Sequence, residues 1–219
     1  WPGKTVALAK GIARHQETDY TLVDLPGTYS LSARSPEEEV AAEYISFGCA
    51  DAVIVVCDAT ALERNLYLAL QVMELTDRVF VCVNLMDEAK KQGIEIDLAA
   101  LSFELGVPVV AASASREEGM GELLEQLRRI LDGFEAPRPR RCGVVPNSIR
   151  ESHLGAEALQ GASGRASDEI AAQFVRRAEE IAKRVVRETR QDAKTRTLRV
   201  DRLLTGKVTG LLLLAGLLG

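Results

Sequence analysis

Apolar residues along this chain fall into two alternating patterns. Unbroken apolar runs at 52–57, 79–83 and 107–110 read as strands covered on both faces. Between and after them, residues 62–75, 98–105 and 121–131 space their apolar positions at helical intervals, and Gly106 ends the second of these helices. Strand-then-helix alternation predicts an open, mostly parallel sheet with right-handed crossovers. Ahead of it, residues 5–14 and 20–23 read as two strands joined by the polar turn 15–19, an antiparallel hairpin at one edge. Ser35-Pro36-Glu37-Glu38-Glu39 is a strong helix start. Ser35 can cap, Pro36 suits the first helical position, and Glu38 completes a capping box with acids near the positive helix end. This helix is expected to run to about Phe47 and to stop at Gly48.

The pattern changes at Gly133. Residues 135–141 form a stiff basic linker rich in Pro and Arg, and beyond it the strand signals vanish. A long helix is expected from about Ser167-Asp168-Glu169, with Ile170, Phe174, Ala178, Ile181 and Val185 as its apolar stripe. Packing within a small helical domain is the expected use of that stripe. Residues 176–207 hold 11 Lys/Arg against 5 Asp/Glu, immediately before the apolar tail 208–219. That order obeys the positive-inside expectation for a cytoplasmic flank. Twelve helical residues reach about 18 Å, short of the roughly 30 Å hydrocarbon core. The tail therefore reads as the first half of a membrane span, with an amphiphilic terminal helix as the blander alternative. The expected organisation is a nucleotide-binding unit at 1–133, a helical unit at 134–200 and the start of a membrane helix at 201–219.

Composition narrows the field modestly. With 219 residues there is room for one full domain and a smaller one. A net charge of -5 offers no basic excess of the kind nucleic-acid binders carry, so no nucleic-acid partner is expected. Cys49, Cys57, Cys82 and Cys142 form no C-x-x-C pair, and two lie inside apolar strand runs. Buried free thiols and a reducing compartment follow. His15 and His153 have no partner at ligand spacing, which argues against a zinc site.

The chemistry concentrates at two strand ends. Asp24-Leu25-Pro26-Gly27 follows the run Tyr20-Thr21-Leu22-Val23, and Asn84-Leu85-Met86-Asp87 follows 79–83. Ligands of open α/β sheets sit at the carboxyl ends of strands. Guanine presents two donors on one edge, N1–H and the N2 amine, and the Asp87 carboxylate can accept both. Hydrogen bonds to a charged group are worth about 1.5–3 kcal/mol each, so two of them supply roughly two to four orders of magnitude in base selection. Adenine lacks the N2 amine and is rejected. Asn84 is expected to hold the loop and Asp87 in place; the bland alternative is an N-x-x-D that only caps the following helix. Ser113-Ala114-Ser115, behind the next strand, is expected to lend a backbone N–H to the base O6, most plausibly that of Ala114. Asp24 suits magnesium through a water, and Gly27 can donate its N–H to a γ-phosphate because no side chain obstructs it.

Gly3-Lys4-Thr5 looks like the end of a Walker A motif. A Walker A Thr opens a helix, however, whereas Val6 and Ala7 lead into a hairpin strand. Only 20 residues separate Lys4 from Asp24, too few for a helix, a switch loop and two strands. Thr5 reads instead as a switch threonine that closes over magnesium and the γ-phosphate.

Four runs then carry a specific resemblance. Trp1-Pro2-Gly3-x-Thr5-Val6, Thr21 to Leu31 with its Asp24-Leu25-Pro26-Gly27, Asp58-Ala59-Thr60-x-Leu62-Glu63-Arg64-Asn65-Leu66-Tyr67-Leu68, and Asn84-Leu85-Met86-Asp87 resemble the bacterial ferrous iron transport protein B family. Asp201-Arg202-Leu203-Leu204-Thr205 resembles the approach to that family's first membrane helix. The resemblance implies a P-loop-NTPase-like GTPase sheet, mostly parallel with one antiparallel edge hairpin and lacking its first strand and phosphate loop. A small all-α domain and the start of a membrane helix would follow it. It implies GTP/GDP and Mg2+ as ligands, with Gly3, Lys4, Thr5, Val6 and Ala7 as switch I and Asp24 to Gly27 as switch II. Thr5 and Asp24 would serve the metal, while Asn84, Leu85, Met86, Asp87, Ser113, Ala114 and Ser115 hold the base. The implied setting is the cytosolic face of the bacterial inner membrane, with Fe2+ carried by the protein's own transmembrane domain. No iron site and no catalytic residue are assigned to this chain. A soluble ribosome-assembly GTPase and a non-catalytic interaction fragment remain the alternatives.

Three departures qualify the resemblance. The phosphate-binding loop would lie upstream of Trp1, and its strand would sit mid-sheet, leaving two neighbours partly unpaired. Thr28, not Gln, follows Gly27, so slow turnover is expected. Leu85 stands where other GTPases carry Lys in the base motif, which weakens contact over the ring. Because the phosphate loop supplies most β-phosphate contacts, this chain is expected to bind GTP only weakly. Titration with a fluorescent GTP analogue checks this, and submicromolar affinity would refute it.

Overall fold

The computed structural model describes residues 8–26, 28, 30–31, 35–47, 49–134, 137–146, 148–149, 155, 159 and 165–188. Residues 1–7 and the tail 201–219, on which switch I and the membrane span were expected, lie outside them. Strands β1 (Ala9–His15) and β2 (Thr18–Asp24) form an antiparallel hairpin with His15 opposite Thr18. The turn is therefore tighter than the expected 15–19, and Gln16 turns the chain at φ 53. Strands β3 (Val53–Asp58), β4 (Val79–Asn84) and β6 (Val109–Ala111) form a parallel sheet in the order β3-β4-β6. Among the described residues the hairpin is not hydrogen-bonded to that sheet, whose edge strands are β3 and β6.

β4 is the middle strand, and Val79 to Val83 are all buried. Helix α1 (Pro36–Ser46) starts as read, with the Ser35 hydroxyl accepting from the Glu38 N–H at 3.3 Å. Helix α2 (Leu62–Leu75) is the central strut of one face. Leu66, Leu70 and Met73 on it are fully buried, each contributing about 1.5–3 kcal/mol relative to exposure. Two polar side chains of α2 are buried with them. Gln71 accepts the Leu31 N–H at 2.6 Å. The Glu74 carboxylate accepts the N–H groups of Gly143 and Val145 at 2.9 and 3.1 Å. A buried carboxylate is tolerated only where hydrogen bonds replace its water, and here the two donors come from the chain beyond the first unit.

Helix α3 (Met86–Gln92) and strand β5 (Ile94–Ile96) follow β4, then α4 (Leu98–Leu105), β6 and α5 (Met120–Leu131). Gly106 closes α4 at φ +71, and a Cβ there would strike the Arg138 carbonyl. The basic linker is thereby pressed onto α4. Arg140 stacks over Phe103 at 4.0 Å and Arg141 pairs with Asp77.

Helix α6 (Arg165–Val185) carries the expected stripe, with Phe174, Ala178, Ile181 and Val185 buried. Its packing differs from the expectation. The stripe lies on α2 and α4, with Phe174 edge-on to Tyr67 at 6.1 Å between ring centroids. A second difference follows at its end. Strand β7 (Val186–Glu188) pairs antiparallel with β5, a pairing that three half-exposed residues do not announce in sequence. All four cysteines are free, and Cys57 and Cys82 are buried. Burial, reinforced by Cys82, pushes the Cys57 thiol up to about 12. Among the described residues no helix is long and apolar enough to cross a membrane.

Glu104 clamps α4 to α6, accepting from Arg184 at 2.9 Å and Arg177 at 3.0 Å. The Arg184 hydrogen bond, with Arg177 behind it, holds the Glu104 carboxyl below the usual carboxylate range against the opposing effect of burial. A carboxyl lowered by folding stabilises the fold above its ordinary range, and that stability is lost as pH falls through the lowered value. Glu104→Gln should therefore lower the melting temperature near neutrality. The gap to the parent chain should narrow steadily on acidification, as thermal melts across the acid range will show.

Candidate functional site

The carboxyl ends of β3, β4 and β6 share one edge, since Asp58 pairs with Asn84 and Val83 with Ala111. Residues leaving these ends must satisfy their backbone groups without further ladder, and they do so across the loops. The Ala112 N–H donates to the Val83 carbonyl at 2.8 Å, and the Met86 N–H donates to the Ala112 carbonyl at 3.2 Å. Leu85, between strand and helix, adopts the left-handed conformation at φ 62, ψ 31. That is uncommon for a side chain with a Cβ. It turns the chain from β4 into α3 within one residue and aims Asn84 and Asp87 toward the neighbouring loop.

Side chains then lock the two loops. Asn84 Oδ1 accepts the Ala114 N–H at 3.0 Å, and the Ser113 hydroxyl accepts the Asp87 N–H at 3.2 Å. Ser113 is buried, and Ser113 to Arg116 close into a short 3-10 turn through the Arg116 N–H on the Ser113 carbonyl at 2.8 Å. Asp87 is 11% exposed. Its Oδ2 lies 3.0 Å from Arg116 Nε and 3.8 Å from Lys91 Nζ. Its Oδ1 is buried with no hydrogen-bond partner among the described residues. A buried acceptor without a donor is costly, and here it stands beside small side chains at a strand end. Gly119 (φ +80) permits the close approach of α5, since a Cβ would strike the Ala111 carbonyl.

Of the residues singled out in sequence, Asn84, Asp87, Ser113 and Ala114 come together. Met86 contributes a backbone bond and Ser115 lies exposed in the turn. The bland reading of N-x-x-D as a helix cap is not what the fold uses. The cap position of α3 is Leu85, without a side-chain bond, while Asn84 reaches 30 residues onward. The Ala114 N–H, expected at a base O6, donates to Asn84 Oδ1 in this structure. Arg116 was missed because nothing marks it in sequence; only the 3-10 turn swings it over Asp87.

Asp24 ends β2 opposite Ala9 and is exposed, while Leu25 is half-buried against the core and Pro26 is half-buried. The following segment is tied down by buried Leu31 through Gln71. Gly3, Lys4, Thr5, Val6, Ala7 and Gly27 lie outside the described residues. Among those described, no three His, Cys, Asp or Glu cluster as metal ligands. An exposed carboxylate such as Asp24 suits magnesium through water, with oxygen ligands supplied from elsewhere. A cleft of about 410 Å³ lies between α2 and α6, lined by Ser30, Glu63, Arg64, Tyr67, Val175 and Ala178, away from Asp87.

Comparison with known proteins matches residues 1–127 to the family described as ferrous iron transport protein B. The Fe(2+) transporter FeoB of Escherichia coli (strain K12) is 44% identical over 140 residues, 62% of this chain and 18% of that protein. That of Salmonella typhimurium (strain LT2) is likewise 44% identical over 140 residues, covering the same shares. This chain thus spans less than a fifth of their length. Among solved structures, the cytosolic domain of the T. maritima FeoB iron transporter in GMPPNP form superposes with TM-score 0.71 at 29% identity, covering 85% of this chain and 88% of that one. The FeoB G-domain from Methanococcus jannaschii gives TM-score 0.55 at 43% identity over 56% of this chain and 79% of that one.

The Asn84–Ala114 bond is the latch between the two loops. Asn84→Ala leaves a backbone N–H without its acceptor, at about 1 kcal/mol. The expected result is a melting temperature about 2–4 °C lower, with faster amide hydrogen exchange confined to 113–117. Exchange unchanged there would contradict the latch.

Proposed function

The chain belongs to the ferrous iron transport protein B family, and from that premise we propose that it is the guanine-nucleotide-binding cytosolic portion of a ferrous iron transporter. The observation that carries this reading is the Asp87 carboxylate, held at a strand end by the interlocked loops with one oxygen buried and without a donor. Guanine supplies the missing donors through N1–H and its N2 amine. Ser113 fixes the Asp87 backbone and Asn84 fixes the facing loop, so the carboxylate starts from a set position, which is the preorganisation a selective site needs. The solved T. maritima cytosolic domains in GDP and GMPPNP forms support a guanine nucleotide as the ligand.

On this reading Thr5 and Asp24 hold Mg2+ against the phosphates, Gly27 contacts the γ-phosphate, and Gly3 to Ala7 with Leu25 and Pro26 form the segments that respond to it. A bound magnesium ion would neutralise phosphate charge; the residues of this chain would orient its waters. Residues 1–133 form the nucleotide unit and 134–200 a regulatory helical unit, docked through α6 and the Glu74 contacts to the linker. Residues 201–219 lead into the membrane at the cytosolic face of the bacterial inner membrane. Nucleotide binding and hydrolysis regulate Fe2+ uptake by the membrane part, with which this portion works as one protein.

The base assignment is tested by Asp87→Asn. An amide donates where the carboxylate accepted, so it repels the guanine amine and suits xanthine, which carries a carbonyl at that position. GDP affinity should fall about 10- to 100-fold, the loss of one charge-assisted hydrogen bond, while xanthosine diphosphate affinity rises. Competition against a fluorescent GDP analogue reads both, and unchanged GDP affinity would remove Asp87 from the site.

A further inference from the structure

We propose that Arg116 is an internal competitor of the guanine base and sets the affinity for nucleotide by occupying the Asp87 carboxylate when the site is empty. The inference rests on Asp87 being the base acceptor. A guanidinium and the N1–C2–N2 edge of guanine present the same chemistry, N–H donors on an N–C–N unit facing a carboxylate. Arg116 Nε sits 3.0 Å from Asp87 Oδ2, with Lys91 Nζ at 3.8 Å on the same oxygen. The other oxygen, Oδ1, is buried and has no donor among the described residues. The carboxylate is thus half-used, by a group that a base must move aside.

The two partners differ in how firmly they are held. Asp87 is 11% exposed and its backbone is bonded to Ser113, whereas Arg116 is 51% exposed. Displacement therefore moves Arg116 into solvent and leaves Asp87 in place. The second recognition group is engaged in the same way, since the Ala114 N–H is on Asn84. Both recognition groups thus have partners within the chain, Arg116 on Asp87 Oδ2 and Asn84 on the Ala114 N–H. Apparent affinity falls in proportion to the fraction of molecules in which the carboxylate is free. Half-exposed ion pairs are weak, so the effect is a modest brake that a true guanine edge overcomes. Adenine, with no donor pair for a carboxylate, does not displace the guanidinium. Arg116 thereby lowers the affinity for guanine without contacting the base.

The test uses Arg116→Met in this chain, which keeps the side-chain length and removes the donors. GDP should bind about two- to fivefold tighter, with the gain in the association rate, and ADP binding should not change. In the Asp87→Asn background, where the guanidinium has lost its charge partner, Arg116→Met should change xanthosine diphosphate affinity less than it changes GDP affinity in the parent chain. Weaker GDP binding by Arg116→Met would overturn the proposal and make Arg116 a residue that positions Asp87. Unchanged GDP binding would overturn it as well. If Asp87→Asn fails to move preference from guanine to xanthine, the base site itself is misassigned; if that swap succeeds and Arg116→Met has no effect, only the competitor role falls.

Discussion

A parallel sheet ends abruptly, and the backbone groups beyond its last ladder bond must find partners or stay solvated. In this protein the loops after β4 and β6 resolve that need against each other. Asn84 accepts from Ala114, Ser113 accepts from Asp87, and the Ala112 carbonyl accepts from Met86. The placement of Asp87 is a by-product of that mutual satisfaction. With the backbone of each loop fixed by the other, the Asp87 carboxylate is left at a defined position with one oxygen facing no donor. Loss of either loop would leave the other with unsatisfied polar groups, so the two form one unit even though their sequences lie almost thirty residues apart.

α2 does the corresponding job on the other side of the molecule. Its apolar face fills the core, and its two buried polar residues reach in different directions. Gln71 binds the segment that follows Asp24 to Pro26, and Glu74 binds the chain that leaves the first unit toward α6. A helix joined at one point to the segment after Pro26 and at another to the linker is a mechanical connection between them. The Tyr67–Phe174 contact and the Glu104 clamp extend it along α6. Nothing in it requires a flexible hinge; the connected parts share one packed surface.

Several elements were legible because local and global preferences agree there. α2 and α4 have the bounds that periodicity and a terminal Gly106 dictate, and α1 begins at its Ser35-Pro36 signal. The three apolar runs are strands because an unbroken run of β-branched residues suits a position covered on both faces. α3, β5 and β7 were not legible. α3 is only seven residues with two acids and two lysines, and β5 and β7 are three-residue strands that pair with each other and lean Ile94, Ile96 and Val186 on the core. The stripe of α6 was readable as a stripe, but its partner was not, because an apolar face does not specify which apolar face it meets.

What the sequence by itself determined is therefore the class of fold, the bounds of the well-patterned helices, and the pair Asn84 and Asp87 as chemistry at a strand end. Spacing and residue type suffice for these, since they depend on neighbours within one turn or one strand. The tertiary structure alone decided that Asn84 spends its acceptor on Ala114, that Arg116 faces Asp87, and that α6 packs onto α2 and α4 while β7 pairs with β5. Each of those is a meeting of groups from distant segments, and such a meeting depends on how the sheet and helices stack, which no local pattern encodes.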